Sequence, residues 1–378
     1  MSAAETRPPR RVLFVLRGKL GDTVVSFATV RAYADAHTGD QVTLLVRGNY
    51  AFLFEREAGI RVLGFSSRLA MFAKLALLRY SEPPFDALLV LLGAGPPIAR
   101  LGRLVRARRK IFLDGRFKDV YPEWPDTPRD HRHFEPAWLV ARAYEPGLAA
   151  PQYSRIPSLA TRRRPAKVIG IAPVSDETRR SMTPRLVQAL AAALLERHAG
   201  HAVHVLINPA DADAKPLLEA ALPPGARLRS FRSLDGLVDE LCVLEHLHST
   251  DTGLYHLAAA MGVPLTTYFG PTQPWKMGFP AQPDLARVRI AALGGEHCEE
   301  KGCRRPVCLE IPVAAHIGAP IDSRIDGTPP GCLLRRHARP DLEQVKVESA
   351  APAVQDGASA VQDGASAVQD GASAVPVH

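Results

Sequence analysis

The chain has 378 residues, 46% hydrophobic and 23% charged, with a formal net charge of +8. That length exceeds what one hydrophobic core usually organises, so two domains are expected, and the composition is that of a globular protein. A membrane-spanning helix is excluded, because no apolar run approaches the roughly 20 residues that it needs.

Residues 1–10 read as a polar, basic leader. The apolar stretch 12–16 is too short for a signal-peptide core and reads as a strand, so a cytoplasmic protein is expected. From there strand-like and helix-like segments alternate. Residues 12–16, 42–46, 61–65, 87–92 and 110–113 are expected strands; 23–35, 67–78 and 97–106 are expected helices. The run 87–92 is continuously apolar, as a strand buried on both faces must be. Such alternation predicts a parallel sheet covered by helices, here spanning 11–161.

Residues 162–166, which include Arg162-Arg163-Arg164-Pro165, form a charged break and an expected linker. A second alternating series then predicts strands at 168–172, 203–207, 246–249 and 265–269, and helices at 184–198, 214–221, 234–244 and 254–261. This second domain is assigned 167–340, with a cysteine-bearing excursion at about 294–335. The end of the chain is different: 353–359, 360–366 and 367–373 are three copies of Ala-Val-Gln-Asp-Gly-Ala-Ser. Each copy has one Val and no Leu or Ile, so no coiled-coil seam can form, and 341–378 is expected to be a disordered tail.

Charge is concentrated locally. Arg100, Arg103, Arg106, Arg108, Arg109 and Lys110 fall within eleven residues that contain no acid. The cluster suits an anionic partner or, more simply, a solvated helix face. Aromatic residues are 6% of the chain and none interleaves with it, which argues against nucleic acid.

Four loops follow expected strands. The first, Arg17-Gly18-Lys19-Leu20-Gly21-Asp22, has two glycines for a tight turn but is neither a dinucleotide fingerprint nor a Walker loop. Asp22 fits either a helix N-cap or a carboxylate at a cleft mouth, placed to take a proton. The second, Ser175-Asp176-Glu177-Thr178-Arg179-Arg180, offers arginines for a diphosphate. In the third, Ser249-Thr250-Asp251-Thr252-Gly253-Leu254-Tyr255-His256, a strand ends and a helix begins near Gly253. Its N-terminal amides favour a phosphate, Asp251 and Thr252 can bond sugar hydroxyls, and His256 lies one turn in; an ordinary cap beside a core histidine is the simpler reading. The fourth is Phe269-Gly270-Pro271-Thr272.

Together these pieces resemble glycosyltransferase family 9, the ADP-heptose:lipopolysaccharide heptosyltransferases, over about residues 11–280. The specific signature is Asp-Thr-Gly-x-x-His-Leu-Ala-Ala-Ala at 251–260, then Gly262-Val263-Pro264 and Phe269–Thr272 in order. The resemblance implies an α/β GT-B fold, two Rossmann-like doubly wound parallel-sheet domains facing across a cleft. It implies inverting transfer with no required cofactor and no catalytic metal, from a nucleotide-sugar donor such as ADP-heptose. The family's base maps onto Asp22. Its donor contacts map onto Asp251, Thr252, Gly253, Leu254 and His256, with Arg179 or Arg180 at the phosphate and Asp211 on the adenosine side. The family's Trp-Pro after that basic residue is replaced by Ser181-Met182-Thr183-Pro184, which leaves the choice of arginine open. Lys19, Arg103 and Arg106 are the acceptor-side candidates. The implied partners are the nucleotide sugar and an anionic glycan or lipopolysaccharide-core acceptor, with peripheral contact to the inner membrane and no nucleic acid. The alternatives are another nucleotide sugar or a protein acceptor, a nucleotide-sugar epimerase, or a non-catalytic sugar-nucleotide binder. Cys298, Cys303, Cys308 and Cys332 form a loose set for a structural metal, with free thiols the competing reading and Cys242 a core residue.

Overall fold

The computed structural model describes residues 8–128, 131–151, 154–208, 213–272, 276, 289–293, 303, 307–318 and 345–349. The first half runs β1 (Arg11–Leu16), α1 (Leu20–Ala36), β2 (Gln41–Arg47), α2 (Gly48–Ala51), β3 (Ile60–Phe65), α3 (Arg68–Ser81), β4 (Phe85–Leu92), α4 (Pro96–Leu104), β5 (Ala107–Phe112) and α5 (Glu135–Tyr144). The second follows a short α6 (Pro157–Ala160), with β6 (Val168–Ala172), α7 (Pro184–Arg197), β7 (Ala202–Ile207), α8 (Lys215–Ala221), β8 (Ala226–Ser230), α9 (Leu234–Val243), β9 (His246–Thr250), α10 (Gly253–Ala260), β10 (Leu265–Phe269), β11 (Arg289–Leu293), α11 (Val307–Ile317) and β12 (Val345–Ser349).

Five strands pair in parallel in the order β3-β2-β1-β4-β5. Alternate residues of the central strands serve two cores. Val12, Phe14, Leu16, Ala87 and Leu89 join one apolar cluster, while Leu13, Val15, Leu88 and Val90 join another beneath α3 and α4. The second sheet has the order β12-β11-β10-β9-β6-β7-β8, parallel except for β12. In each sheet the strand order reverses beside its first strand, between β1 and β4 and between β6 and β9. That reversal opens a crevice beyond the carboxyl ends, where open α/β sheets bind ligands.

The charged break around residue 162 is fastened to the second half rather than loose. Ile156 N donates to Ala260 O at 2.9 Å, Arg164 N to Cys242 O at 2.8 Å, and Ala166 N to Val243 O at 2.8 Å. The guanidinium of Arg163 donates to the carbonyls of Gly262 and Leu244. These bonds satisfy helix-end carbonyls that would otherwise have no partner.

One expectation for the end of the chain is corrected. Val345–Ser349, inside the segment read as disordered tail, pairs antiparallel with β11 as the edge strand of the second sheet. Its Val-Lys-Val-Glu-Ser alternation has the period of a strand. The three heptapeptide copies lie outside the described residues.

Candidate active site

The first half brings Asp22 to the cleft within the first turn of α1, which begins at Leu20 and not after Asp22 as a cap would require. Lys19 is the N-cap and makes no side-chain cap bond. Asp22 instead reaches back to the Lys19 backbone N–H and accepts a hydrogen bond from His133 Nε2 at 2.8 Å. Burial pushes the Asp22 carboxyl up, but the hydrogen bond and charge of His133, with smaller help from Lys19 N–H and His256, outweigh it and hold the acid below its ordinary value. Asp22 is therefore a carboxylate, an acceptor only, so the proton in this bond sits on His133 Nε2. His133 Nδ1 is buried with no partner among the described residues.

Two glycines let the halves meet at this point. A Cβ on Gly21 would lie 3.2 Å from Gly253 Cα and 3.0 Å from His256 Cδ2, and a Cβ on Gly253 would lie 3.1 Å from Gly21 N. The amino ends of α1 and α10 thus abut, and both direct their positive dipole ends to one place. Gly18 keeps the carboxylate approachable, since a Cβ there would come 3.2 Å from Asp22 Cβ and 3.6 Å from its Oδ2.

The second half supplies a charged net. Thr252 caps α10 through its hydroxyl, which accepts from Leu254 N at 3.0 Å and Tyr255 N at 3.3 Å. Leu254 is buried and spends its amide on that cap. Asp251 is buried and accepts from Arg180 Nη1 at 3.0 Å. Arg180 Nη2 donates to Asp176 Oδ1 at 2.8 Å, and Asp176 in turn pairs across the cleft with Lys19. Burial works against the Arg180 charge, but Asp251, Glu177 and Asp176 outweigh it and raise its pKa. Its Nε is buried without a partner among the described residues. Buried polar groups are nearly always paired, so unpaired atoms on both Arg180 and His133 suit a site that a polar ligand completes. His256 Nε2 lies 4.0 Å from Asp251 Oδ1, and the His256 and His133 rings are 5.2 Å apart. Burial drives His256 well below its ordinary pKa, with the nearby His133 and Arg180 adding to the fall, so it is neutral at pH 7.

The two arginines separate. Arg180 faces Asp251, whereas Arg179 is buried and turns to Glu177 at 2.7 Å. Asp211 lies outside the described residues. The basic cluster does not form one helix face at the cleft. Only Arg100 and Arg103 are on α4, while Arg108, Arg109 and Lys110 are in β5. Arg106 O accepts from Phe85 N at the first residue of β4, so Arg106 sits at the amino edge of the sheet, opposite the edge that carries Asp22. Arg103 pairs with Asp119, and Arg106 donates to Glu82 O. The acceptor role expected for Arg103 and Arg106 is therefore corrected: α4 runs antiparallel to its strands and carries these residues away from the crevice. His133 is the residue sequence reasoning missed, because it lies far along the chain in a loop without periodicity.

Cys303 and Cys308 are buried, Cys242 is buried on α9, and Cys298 and Cys332 lie outside the described residues. Among the described residues no group of three or more His, Cys, Asp and Glu is arranged to hold a metal ion. No helix among them is long and apolar enough to cross a membrane.

Two doubly wound sheets whose switch-point loops converge on one charged crevice are the architecture of the GT-B fold. Residues 147–308 match the family model described as Glycosyltransferase family 9 (heptosyltransferase), and that is the family this chain resembles. Similar solved structures include a family 9 glycosyl transferase from Veillonella parvula, 13% identical with a TM-score of 0.64, covering 76% of this chain and 88% of that one. ADP-heptose lps heptosyltransferase II of E. coli is 17% identical with a TM-score of 0.60 over 81% and 98%. E. coli heptosyltransferase WaaC with ADP is 21% identical with a TM-score of 0.58 over 71% and 90%. At these identities the likeness is one of fold. No curated protein matches the chain.

Proposed function

We propose that this glycosyltransferase moves a heptose or related sugar from ADP-heptose to a hydroxyl of a lipopolysaccharide core or other glycan, with inversion and without a catalytic metal. The observation that carries this reading is the junction at Gly21 and Gly253, which sets a carboxylate from one half against an anion-favouring helix start from the other. The donor's diphosphate lies at the amino end of α10 and on Arg180, and Asp251, Thr252, Gly253, Leu254 and His256 surround its sugar. Lys19 stands on the acceptor side beside Asp22.

In the reaction Asp22 takes the proton from the acceptor hydroxyl as that oxygen bonds to the anomeric carbon. The bond from that carbon to the diphosphate breaks, and its electron pair leaves with ADP. Negative charge grows on the diphosphate, where two helix dipoles and Arg180 stabilise it in place of a metal. His133 holds Asp22 at Oδ1 and leaves Oδ2 beside Gly18 for the incoming hydroxyl. An acceptor of this kind sits in a membrane leaflet, so the protein works in the cytoplasm in peripheral contact with the inner membrane.

The test measures free ADP from ADP-heptose with and without a deacylated core oligosaccharide, in chelator. Transfer that needs both substrates and survives chelation supports the reading. Turnover of donor alone to an epimer, or donor binding with no transfer to any acceptor, overturns it.

A further inference from the structure

The function described leaves one prominent surface without a task. Among the described residues, the large apolar side chains that stay exposed are concentrated on α3, where Leu69 is 79% exposed, Leu77 66% and Tyr80 84%. They recur at intervals of eight and three residues and lie on one side of the helix, with the exposed Ala73 between them. Met71, Leu75 and Leu78 occupy the opposite side and are buried against the sheet. A helix that is apolar on both sides normally has both covered.

The surroundings state what would cover the outer side. The helix carries Arg68, Lys74 and Arg79 and no acid. Beside it in the same layer, sharing its core cluster, α4 shows Arg100 and Arg103 outward and also has no acid. Arg79 ties the two helices together by donating to the carbonyls of Arg103 and Leu104. An apolar row edged by long cationic side chains on a fixed platform is the pattern of an interfacial helix on an anionic bilayer, where the cations reach headgroups and the apolar groups enter the acyl boundary. A second copy of this chain meeting the first through the same face would set the cations of α3 and α4 against those of its mate with no acid on either helix to pair them, so self-association is disfavoured.

The placement also leaves the active cleft open. The α3–α4 layer covers the face of the first sheet opposite to α1, whereas the second half packs against the α1 side through α10.

We infer that α3, with the basic outer side of α4, is the surface by which this protein lies on an anionic lipid membrane. The inference rests on the peripheral location proposed above and names its surface; it does not depend on the identity of donor or acceptor.

The experiment is co-sedimentation of the full chain with vesicles of phosphatidylcholine alone or with 30 mol% phosphatidylglycerol, a composition chosen to give roughly the anionic charge of a cytoplasmic leaflet. Wild type should bind the anionic vesicles only, and less so in high salt. The triple variant Leu69→Ser, Leu77→Ser, Tyr80→Ser should partition about tenfold more weakly, since binding scales with the apolar area buried. A second variant, Lys74→Glu with Arg100→Glu, should lose binding while keeping the apolar row. Both should transfer sugar to a soluble acceptor at the wild-type rate. Wild type that binds while both variants bind equally well would overturn the assignment of this face and leave the peripheral location standing. Wild type that binds neither vesicle overturns both, and a concentration-dependent dimer that the triple variant abolishes would give the face to a second copy.

Discussion

At the residue scale the cleft is organised by charge. Asn caps and hydrogen-bonds much as Asp does but cannot take a proton at neutral pH, so Asp22→Asn should fold with near-native stability and keep donor affinity. Its transfer rate should fall by roughly 10²–10⁴, the usual cost of losing a positioned base. A near wild-type rate would leave Asp22 a purely structural residue. His133 gives the companion test. It holds the Asp22 carboxyl down, so His133→Ala should raise that pKa and move the acid limb of kcat/KM to higher pH. The rate should fall by about 10- to 100-fold through lost positioning, with donor KM little changed. An unmoved acid limb would show that His133 does not act on Asp22. The two arginines are separated in the same way: Arg180→Gln should raise donor KM several-fold, because Arg180 faces Asp251. Arg179→Gln, whose parent side chain turns to Glu177, should chiefly lower Tm. Measuring ADP affinity and melting for both decides which arginine meets the phosphate.

At the element scale the meeting of two helix starts is a steric matter. Gly21→Ala places a methyl 3.0 Å from the His256 ring and 3.2 Å from Gly253 Cα, and Gly253→Ala places one 3.1 Å from Gly21 N. Either change should cut transfer by at least about tenfold by forcing the catalytic groups apart, with a modest fall in Tm. Full activity in both would mean that the halves need not touch here. The edge strand gives a second element-scale prediction. Truncation after Ala350 removes the repeats and should leave Tm unchanged, whereas truncation after Pro340 also removes β12 from the side of β11 and should lower it. Equal melting of the two truncated proteins would show that β12 adds nothing to the sheet.

At the scale of the whole molecule, stability should decline on acidification in two stages. His256 is buried and its folded pKa lies well below its ordinary value, so folded and unfolded chains are alike above about pH 6.5. Below that the unfolded chain gains a proton that the folded chain refuses, and stability falls with a slope of at most about 1.4 kcal/mol per pH unit from this residue. Asp22 and Asp176 are held below their ordinary range. Their contribution is intact at neutral pH and is lost only as pH drops further, through their folded values. His256→Gln should flatten the first stage and keep the second. Melting curves from pH 8 to 4 would check this, and an unchanged first stage would assign it to other histidines.

Much of this protein was legible in its sequence. Continuous apolar runs such as 87–92 and 168–172 marked buried parallel strands, because a strand covered on both faces has no reason to alternate. The run from Asp251 to Ala260 marked a helix start after a strand, and its glycine and capping threonine are local requirements that any fold must meet. Other features had no local signal. β8, Ala226–Ser230, is partly exposed and carries two arginines, so its strand state comes from pairing with β7. The basic cluster looked continuous along the chain, yet it divides between a helix and a strand at the edge away from the cleft. The partnership of His133 with Asp22 spans 111 positions, and no local pattern says that Arg180 points to Asp251 while Arg179 turns to Glu177. Sequence by itself determined most of the elements, their order and four of the loops proposed to carry chemistry, because those depend on periodicity and local backbone preference. Only the tertiary structure decided which loops converge, since two sheets meeting at Gly21 and Gly253 is a fact of long-range packing that no local pattern encodes.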